Sequence, residues 1–312
     1  MKTRTLLALV GPTASGKTPV SLILAEMLGS EIVSADSRQI YKYLDIGTAK
    51  PAAEDRKRIA HHFVDCFDPS HEYSAGQYAD DVAVVLNDLF QRGRTPILVG
   101  GSGLYVKAAV DSLFNGPGKD PEIRDRLEQR LQAEGIEGLL QLLKSVDPVV
   151  VERMSEITPR RVIRALEVYY IVGRPLSELQ AEKKRDPEFA TIQFSLEWDR
   201  AELYSRINLR VDEMINSGLE QEVRTVMGLG FDRRLNALNT VGYKEVFDYF
   251  DGRTDRATMV ELIKRNTRRF AKRQTTWFGG DKRIHRIHVS GTLHPEKVAK
   301  KIVDHWRRAT KT

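Results

Sequence analysis

Gly11-Pro12-Thr13-Ala14-Ser15-Gly16-Lys17-Thr18 is a glycine-rich segment between an apolar run and a helical pattern. Glycines let successive backbone N–H groups curl around phosphate oxygens, and the following helix N-terminus adds partial positive charge. In that arrangement Lys17 reaches the terminal phosphate and the Thr18 hydroxyl coordinates Mg²⁺. A second candidate is Asp36, within Ser34-Ala35-Asp36-Ser37-Arg38-Gln39. A carboxylate at the mouth of a crevice can take a proton from an attacking atom, or it can cap the segment that follows. Ser102, within Gly100-Gly101-Ser102-Gly103, has a similar pair of roles: donor to a leaving oxygen, or part of a tight glycine turn.

These side chains need a scaffold that brings them together. Residues 4–10 read as an apolar strand, 19–28 as a helix, 31–35 as a strand, 82–92 as a helix and 96–99 as a buried strand. Strand–loop–helix units of this kind predict an α/β fold, a P-loop-type parallel sheet flanked by helices, with ligands at the strand carboxyl ends. The turns from Gly11, Asp36 and Gly100 should then face one crevice. The strand at 96–99 ends in glycines, where a nucleotide hydrolase usually carries an aspartate that supports Mg²⁺. That disfavours a motor or switch ATPase and favours a transferase with a phosphorylated donor. The breaker Asn115-Gly116-Pro117-Gly118 and the helix start Asp120-Pro121-Glu122 open a helical stretch reaching about residue 180. A strand at 191–196 returns to the sheet, and the remainder reads as mostly helical. The expected division is a catalytic core of 1–115 with 191–312 and a helical insertion of 116–190.

The chain has 312 residues, 41% hydrophobic and 29% charged, as in an ordinary globular protein. No segment approaches the roughly 18 apolar residues of a membrane helix. Cys66 is the single cysteine, which excludes an internal disulfide and a cysteine-rich zinc site, so a cytoplasmic protein is expected. From Arg253 onward Lys and Arg outnumber Asp and Glu by 17 to 5, a net of +12 against −6 for the rest. Over 262–278 a helix of period 3.6 places Ile263, Phe270 and Trp277 on one stripe, expected to be an apolar seam. Lys264, Arg268 and Lys272, with Arg265, Arg269 and Arg273, cover the other side. Arg160, Arg161 and Arg164 cluster on a second helix. Basic helices suit a long anionic partner, and a solvated charged face is the competing reading.

The ordered motifs resemble one family. After the glycine loop and Ser34-Ala35-Asp36-Ser37-Arg38-Gln39-Ile40-Tyr41 come Asp45-Ile46-Gly47-Thr48-Ala49-Lys50-Pro51 and Gly100-Gly101-Ser102-Gly103-Leu104-Tyr105. Pro159-Arg160-Arg161, Arg164-Ala165-Leu166-Glu167, Val241-Gly242-Tyr243-Lys244-Glu245 and Lys272-Arg273-Gln274-Thr275-Thr276-Trp277-Phe278 follow. In this order they are similar to the tRNA isopentenyltransferase (IPP transferase) family, the bacterial tRNA dimethylallyltransferases that prenylate adenosine next to the anticodon. The resemblance implies Mg²⁺-dependent transfer from dimethylallyl diphosphate to N6 of adenosine 37 of tRNA. It implies that the glycine loop, often described as an ATP site, holds the donor's diphosphate. Asp36 becomes the base, and Ser102, Lys17 and Arg210 attend the leaving diphosphate. The tRNA-contacting positions carried over are Asp36, Ser37, Arg38, Gln39, Ser102, Arg124, Arg160, Arg161, Val162, Ile163, Arg164, Thr240, Val241, Gly242, Tyr243, Lys244 and Glu245. Ser102 stands where the family usually has threonine, keeping the hydroxyl without the methyl. A monomer with no membrane partner is expected. The competing readings are a small-molecule kinase, marked by ATP turnover, and a nucleotide-gated RNA-binding protein, marked by tRNA binding that does not need Asp36.

Overall fold

The computed structural model describes residues 4–111, 116–154, 156–182 and 188–310. Asn115, the first residue of the expected breaker, lies outside them. The chain divides into two compact units, Met1–Asp111 with Pro187–Thr312, and Ser112–Asp186.

In the first unit β1 (Thr5–Val10) leads through the glycine loop into α1 (Lys17–Leu28), and β2 (Ile32–Ala35) follows. Next come α2 (Ala53–Arg58), β3 (His61–His62), α3 (Ala75–Gln91), β4 (Ile97–Gly100) and α4 (Gly103–Asp111). The second unit holds α5 (Pro121–Val146), α6 (Pro148–Arg153), α7 (Pro159–Val172) and α8 (Leu176–Ala181). Back in the first unit are β5 (Ala190–Trp198), α9 (Arg200–Asn216), α10 (Leu219–Gly228) and α11 (Tyr243–Phe250). The chain then finishes with α12 (Arg256–Gly279), β6 (Ile284–Val289) and α13 (Pro295–Ala309).

The sheet is wholly parallel, in the order β3-β2-β4-β1-β5-β6. Every residue of β1 and β2 is buried, as expected for strands covered on both faces. Leu7, Leu9, Ile97, Phe194 and Ile287 of the sheet pack with Val20 and Leu24 of α1 and Ala299, Ile302 and Val303 of α13. Two elements differ from expectation. Helix α3 begins at Ala75, seven residues before the apolar period is legible. A reciprocal capping box between Ser74 and Gln77 starts it. Strand β6 interrupts a stretch expected to be helical. Its Ile284, Ile287 and Val289 are buried while His285, Arg286 and His288 are exposed, so its pattern is not a clean alternation. It is read as a strand only because it pairs with β5 from Gln193↔Ile284 to Trp198↔Val289.

The second unit is all helical in its described residues. Asp120 caps α5 through Ile123 N–H with proline in the first turn. Gly135, at φ 70°, interrupts that helix. Its core is Leu127, Leu139, Leu143, Val162, Ile163 and Leu166.

Pairing sets the strand ends level: Gly100 lies opposite Val10 on one side and Ala35 on the other. A Cβ added to Gly100 would lie 2.2 Å from the Ala35 carbonyl oxygen and 2.5 Å from its carbon. This strand end therefore has room for no side chain, and the missing aspartate is a steric consequence. Gly100→Ala should lower unfolding free energy by about 1–3 kcal/mol in urea titrations through this backbone clash. Gly228→Ala, where nothing lies within 4 Å, serves as the unaffected helical control.

Candidate active site

The glycine loop occupies the turn from β1 to α1. Gly11 and Gly16 take φ of 131° and 94°, and Ala14 stands at 61°, a left-handed conformation unfavourable for a residue with a Cβ. Distant side chains hold this shape. Trp198 Nε1, at the end of β5, donates to Ser15 O at 2.9 Å. Arg206 Nε, on α9, donates to Ala14 O at 3.0 Å, and its guanidinium sits 4.2 Å from the Trp198 ring centroid. Gln274 Oε1, on α12, accepts from Thr13 N–H at 2.8 Å, while its Nε2 donates to Gly101 O at 2.9 Å. One buried amide thus clasps two strand-end loops. Ala14 also packs with Leu203, Ile207 and Ala271.

The expected catalytic side chains converge here. Lys17 Nζ donates to the carbonyls of Gly11 (3.0 Å) and Pro12 (2.6 Å). Arg210 reaches Thr13 Oγ1 at 3.3 Å. Burial, and next the Arg210 charge, pull the Lys17 ammonium down to about 7, with Asp36 partly opposing them. Burial also lowers Arg210, against the field of Asp36. Two enclosed cations and one carboxylate therefore sense one another, and the single carboxylate only partly offsets the burial of both cations. Asp36 Oδ1 accepts from Arg38 N–H at 2.8 Å and Gln39 N–H at 3.3 Å. Its Oδ2 has no hydrogen bond among the described residues. The carboxylate caps its own turn through one oxygen and presents the other. Ser102 Oγ accepts from Ser37 N–H at 3.0 Å and lies 3.3 Å from Ser37 Oγ, so it ties the Gly100 turn to the Asp36 turn.

Residues absent from the sequence expectation also shape the crevice. Glu222 accepts from three successive N–H groups, Asp45 (2.9 Å), Ile46 (2.6 Å) and Gly47 (3.0 Å), and from Tyr243 Oη at 2.5 Å. Below this loop Lys50, 1% exposed at its side chain, pairs with Asp45 and Asp65. Glu222 carries no local signal, since only the fold brings 45–47 to α10. Gln274 was visible as a motif member without a role.

The positions expected to touch tRNA divide by exposure. Arg38 and Gln39 adjoin Asp36, and Gln39 Nε2 donates to the carbonyls of Thr48 and Ala49. Thr240 and Val241 are half-buried and Lys244 is exposed. Gly242, Tyr243 and Glu245 are buried rather than exposed. Glu245 accepts from Gly242 N–H and Asn266 Nδ2. In the second unit Arg160 and Arg161 are exposed. Val162 and Ile163 belong to its core. Arg124 and Arg164 both pair with fully buried Glu167, at 2.9 and 2.7 Å. Burial would raise that carboxyl, and the two arginine hydrogen bonds offset it and hold it below its usual range. On α12 the expected apolar seam fails: Ile263 is buried, but Phe270 and Trp277 are exposed. The buried side is Met259, Ile263, Ala271, Gln274 and Phe278. Of the cations, Lys264 is drawn to Asp212 at 2.8 Å and Arg268 to Asn208 at 2.6 Å, while Arg265, Arg269, Lys272 and Arg273 stay exposed.

No cluster of three His, Cys, Asp or Glu side chains capable of holding a metal occurs among the described residues. Mg²⁺ needs no such cage, because one or two protein oxygens with phosphate and water complete its shell. The Thr18 hydroxyl on the first turn of α1 meets that requirement. The buried Ser15 hydroxyl beside it has no partner, which also fits a loop built around a ligand. No helix of the described residues is long and apolar enough to cross a membrane.

Comparison with known proteins agrees with this architecture. Residues 39–282 match the IPP transferase family model. That match begins after the glycine loop, whose assignment rests on its own geometry. A tRNA dimethylallyltransferase of Thermotoga maritima is 48% identical over 86% of this chain and 87% of its own. One from Pelotomaculum thermopropionicum is 43% identical over 96% of both chains. Among solved structures, the full-length tRNA isopentenylpyrophosphate transferase of Bacillus halodurans superposes with a TM-score of 0.73 at 35% identity, covering 99% and 97%. A eukaryotic dimethylallyltransferase acting on tRNA gives 0.77 at 25% identity, covering 98% of this chain and 78% of its own.

The Lys17 environment yields a thermodynamic prediction. A bound diphosphate supplies the missing counter-charge and raises the Lys17 pKa from about 7. Binding inorganic diphosphate at pH 8 should therefore take up close to one proton more in the parent than in Lys17→Met, and the difference should nearly vanish at pH 6. Calorimetry in buffers of different ionisation enthalpy measures it. Equal proton uptake in both proteins at pH 8 would contradict the assignment.

Proposed function

The chain belongs to the IPP transferase family, and we propose how its crevice carries out the family's reaction: this transferase moves a dimethylallyl group to an adenosine of tRNA. In our reading the donor is dimethylallyl diphosphate and the acceptor atom is N6 of adenosine 37, in the anticodon loop. The observation that carries this reading is Asp36, oriented by two backbone N–H groups through Oδ1, with Oδ2 unclaimed beside Lys17 and Arg210.

The glycine loop, Lys17 and Arg210 hold the donor's diphosphate, whose negative charge grows as the allylic C–O bond breaks. Two cations already in place stabilise that charge without reorganising at the moment of reaction. Mg²⁺, held by the Thr18 hydroxyl and the phosphates, supplies further neutralisation of the leaving group when bound. An exocyclic adenine amine is a poor nucleophile. As N6 forms its bond to the allylic carbon, Asp36 Oδ2 accepts an N6 proton and the electron pair of the broken bond leaves with diphosphate. The Ser102 hydroxyl holds the Asp36 turn against the Gly100 turn and so fixes the position of the base. The target adenine has to leave the stack to reach this crevice, which suits recognition of an unpaired loop. Half-buried Thr240 and Val241 with exposed Lys244 on the first unit, and exposed Arg160 and Arg161 on the second, supply groups for tRNA, with the second unit as an RNA-contacting insertion.

The test combines purified protein, Mg²⁺, labelled dimethylallyl diphosphate and tRNA with adenosine at position 37. Label should pass to the tRNA, and consumption of ATP instead would favour a kinase. Asp36→Asn should lower the rate of transfer about 10²- to 10⁴-fold while the tRNA Kd stays within a few-fold. Unchanged turnover would remove Asp36 from the chemistry.

A further inference from the structure

Gln274 has no part in the chemistry above, yet it stands between the loop that holds the leaving group and the turn that carries the base. It lies on the packed side of α12, 7% exposed, and both ends of its amide are spent on backbone. Oε1 accepts from Thr13 N–H at 2.8 Å and Nε2 donates to Gly101 O at 2.9 Å. Thr13 in turn accepts from Arg210 on its hydroxyl, at 3.3 Å. Gly101 is followed by Ser102, whose Oγ accepts the N–H of Ser37, next to Asp36, at 3.0 Å. A chain of contacts thus runs from Arg210 through one amide to the Asp36 turn. The approach is close enough to require glycine: a Cβ on Gly101 would lie 2.3 Å from Gln274 Nε2 and 3.1 Å from Gly11 O. The contact also diverts a donor. N–H groups at a phosphate loop serve the anion, and that of Thr13 is given to Oε1 instead. A donor surrendered in this way adds nothing to anion affinity, so its use is to fix position.

We propose that Gln274 is a positioning residue for prenyl transfer, its amide setting the separation between the diphosphate loop and the Asp36 turn. The proposal rests on the transfer reaction given above. In that reaction the allylic carbon lies between the departing oxygen, held by the loop, and N6, whose proton goes to Asp36. The turns that hold these groups follow separate strands, β1, β2 and β4. A relative displacement of about 1 Å costs roughly 10²-fold in rate, while each group still binds its own substrate. The bridge from Thr13 N–H to Gly101 O needs an acceptor and a donor side by side, as a primary amide provides. A carboxylate fills the acceptor role but sets a second oxygen against the Gly101 carbonyl. A protonated carboxyl, with one carbonyl oxygen and one O–H, restores both bonds.

The test is steady-state transfer of labelled dimethylallyl group to tRNA by the full-length enzyme, with diphosphate affinity measured by calorimetry. Gln274→Met, of similar volume, should lower kcat about 10²-fold and leave both KM values and the diphosphate Kd within about threefold. Gly101→Ala, which pushes the amide aside, should lower kcat to a similar extent, and the two substitutions together should cost little more than either. Gln274→Glu should be slow at high pH, and its kcat relative to the parent should rise as pH falls and the introduced carboxyl is protonated. A diphosphate Kd weakened as much as kcat falls would make Gln274 a support of the loop alone and overturn the proposal. An unchanged kcat in Gln274→Met, or a kcat ratio for Gln274→Glu that is flat across pH, overturns it as well and leaves the transfer reaction standing. A parent that passes no label to tRNA overturns the reaction, and the positioning role with it.

Discussion

The phosphate loop keeps its shape because side chains far along the sequence hold its peptide groups. Trp198, Arg206 and Gln274 come from β5, α9 and α12, yet each bonds a backbone atom between Thr13 and Ser15. Left alone, a loop with Ala14 at positive φ would relax at a gain of about 1–2 kcal/mol. Fixed from outside, it presents the first turn of α1, whose N–H groups have no helical partners, to an anion. Burial costs Lys17 and Arg210 their hydration, and for Lys17 the Arg210 charge adds to it, so their charged forms are disfavoured until an anion arrives. Order in the loop and its readiness for an anion therefore have one origin.

The second constraint is the level set by parallel pairing. Val10, Gly100 and Ala35 stand abreast, so the three following turns open together. Closeness at that level leaves Gly100 no space for a side chain and puts Ser102 within hydrogen-bond distance of Ser37. Asp36 then has one oxygen engaged by its own turn, and the other makes no hydrogen bond among the described residues. A carboxylate fixed in this way needs no reorientation before it takes a proton, so capping a turn and the proposed role as base are compatible in one residue. Across the crevice, Glu222 gathers the N–H groups of 45–47 and Tyr243 supports it. Tyr243 and Glu245 are buried, and their hydrogen bonds with Glu222 and Gly242 hold the 45–47 loop and the turn before α11.

The sequence by itself determined the parallel α/β core, the glycine loop, the helical stretch after Asp120 and several of the side chains that meet at the strand ends. Each of these rests on local periodicity or on a motif whose residue types have few other uses. Hydrophobic pattern and glycine spacing are written along the chain, so they can be read without contacts. It did not determine β6, whose strand state depends on pairing with β5. Nor did it determine the orientation of α12. Period 3.6 placed Ile263, Phe270 and Trp277 on one stripe correctly, but the neighbours of the helix decided that the packed side runs through Ala271, Gln274 and Phe278. Val162, Ile163, Tyr243 and Glu245 are buried for the same reason: a motif records that a residue matters, and only packing decides which way it points. Gln274 and Glu222 lie at the far limit. Each clasps backbone groups more than 170 positions away, and nothing short of the folded chain brings such partners together.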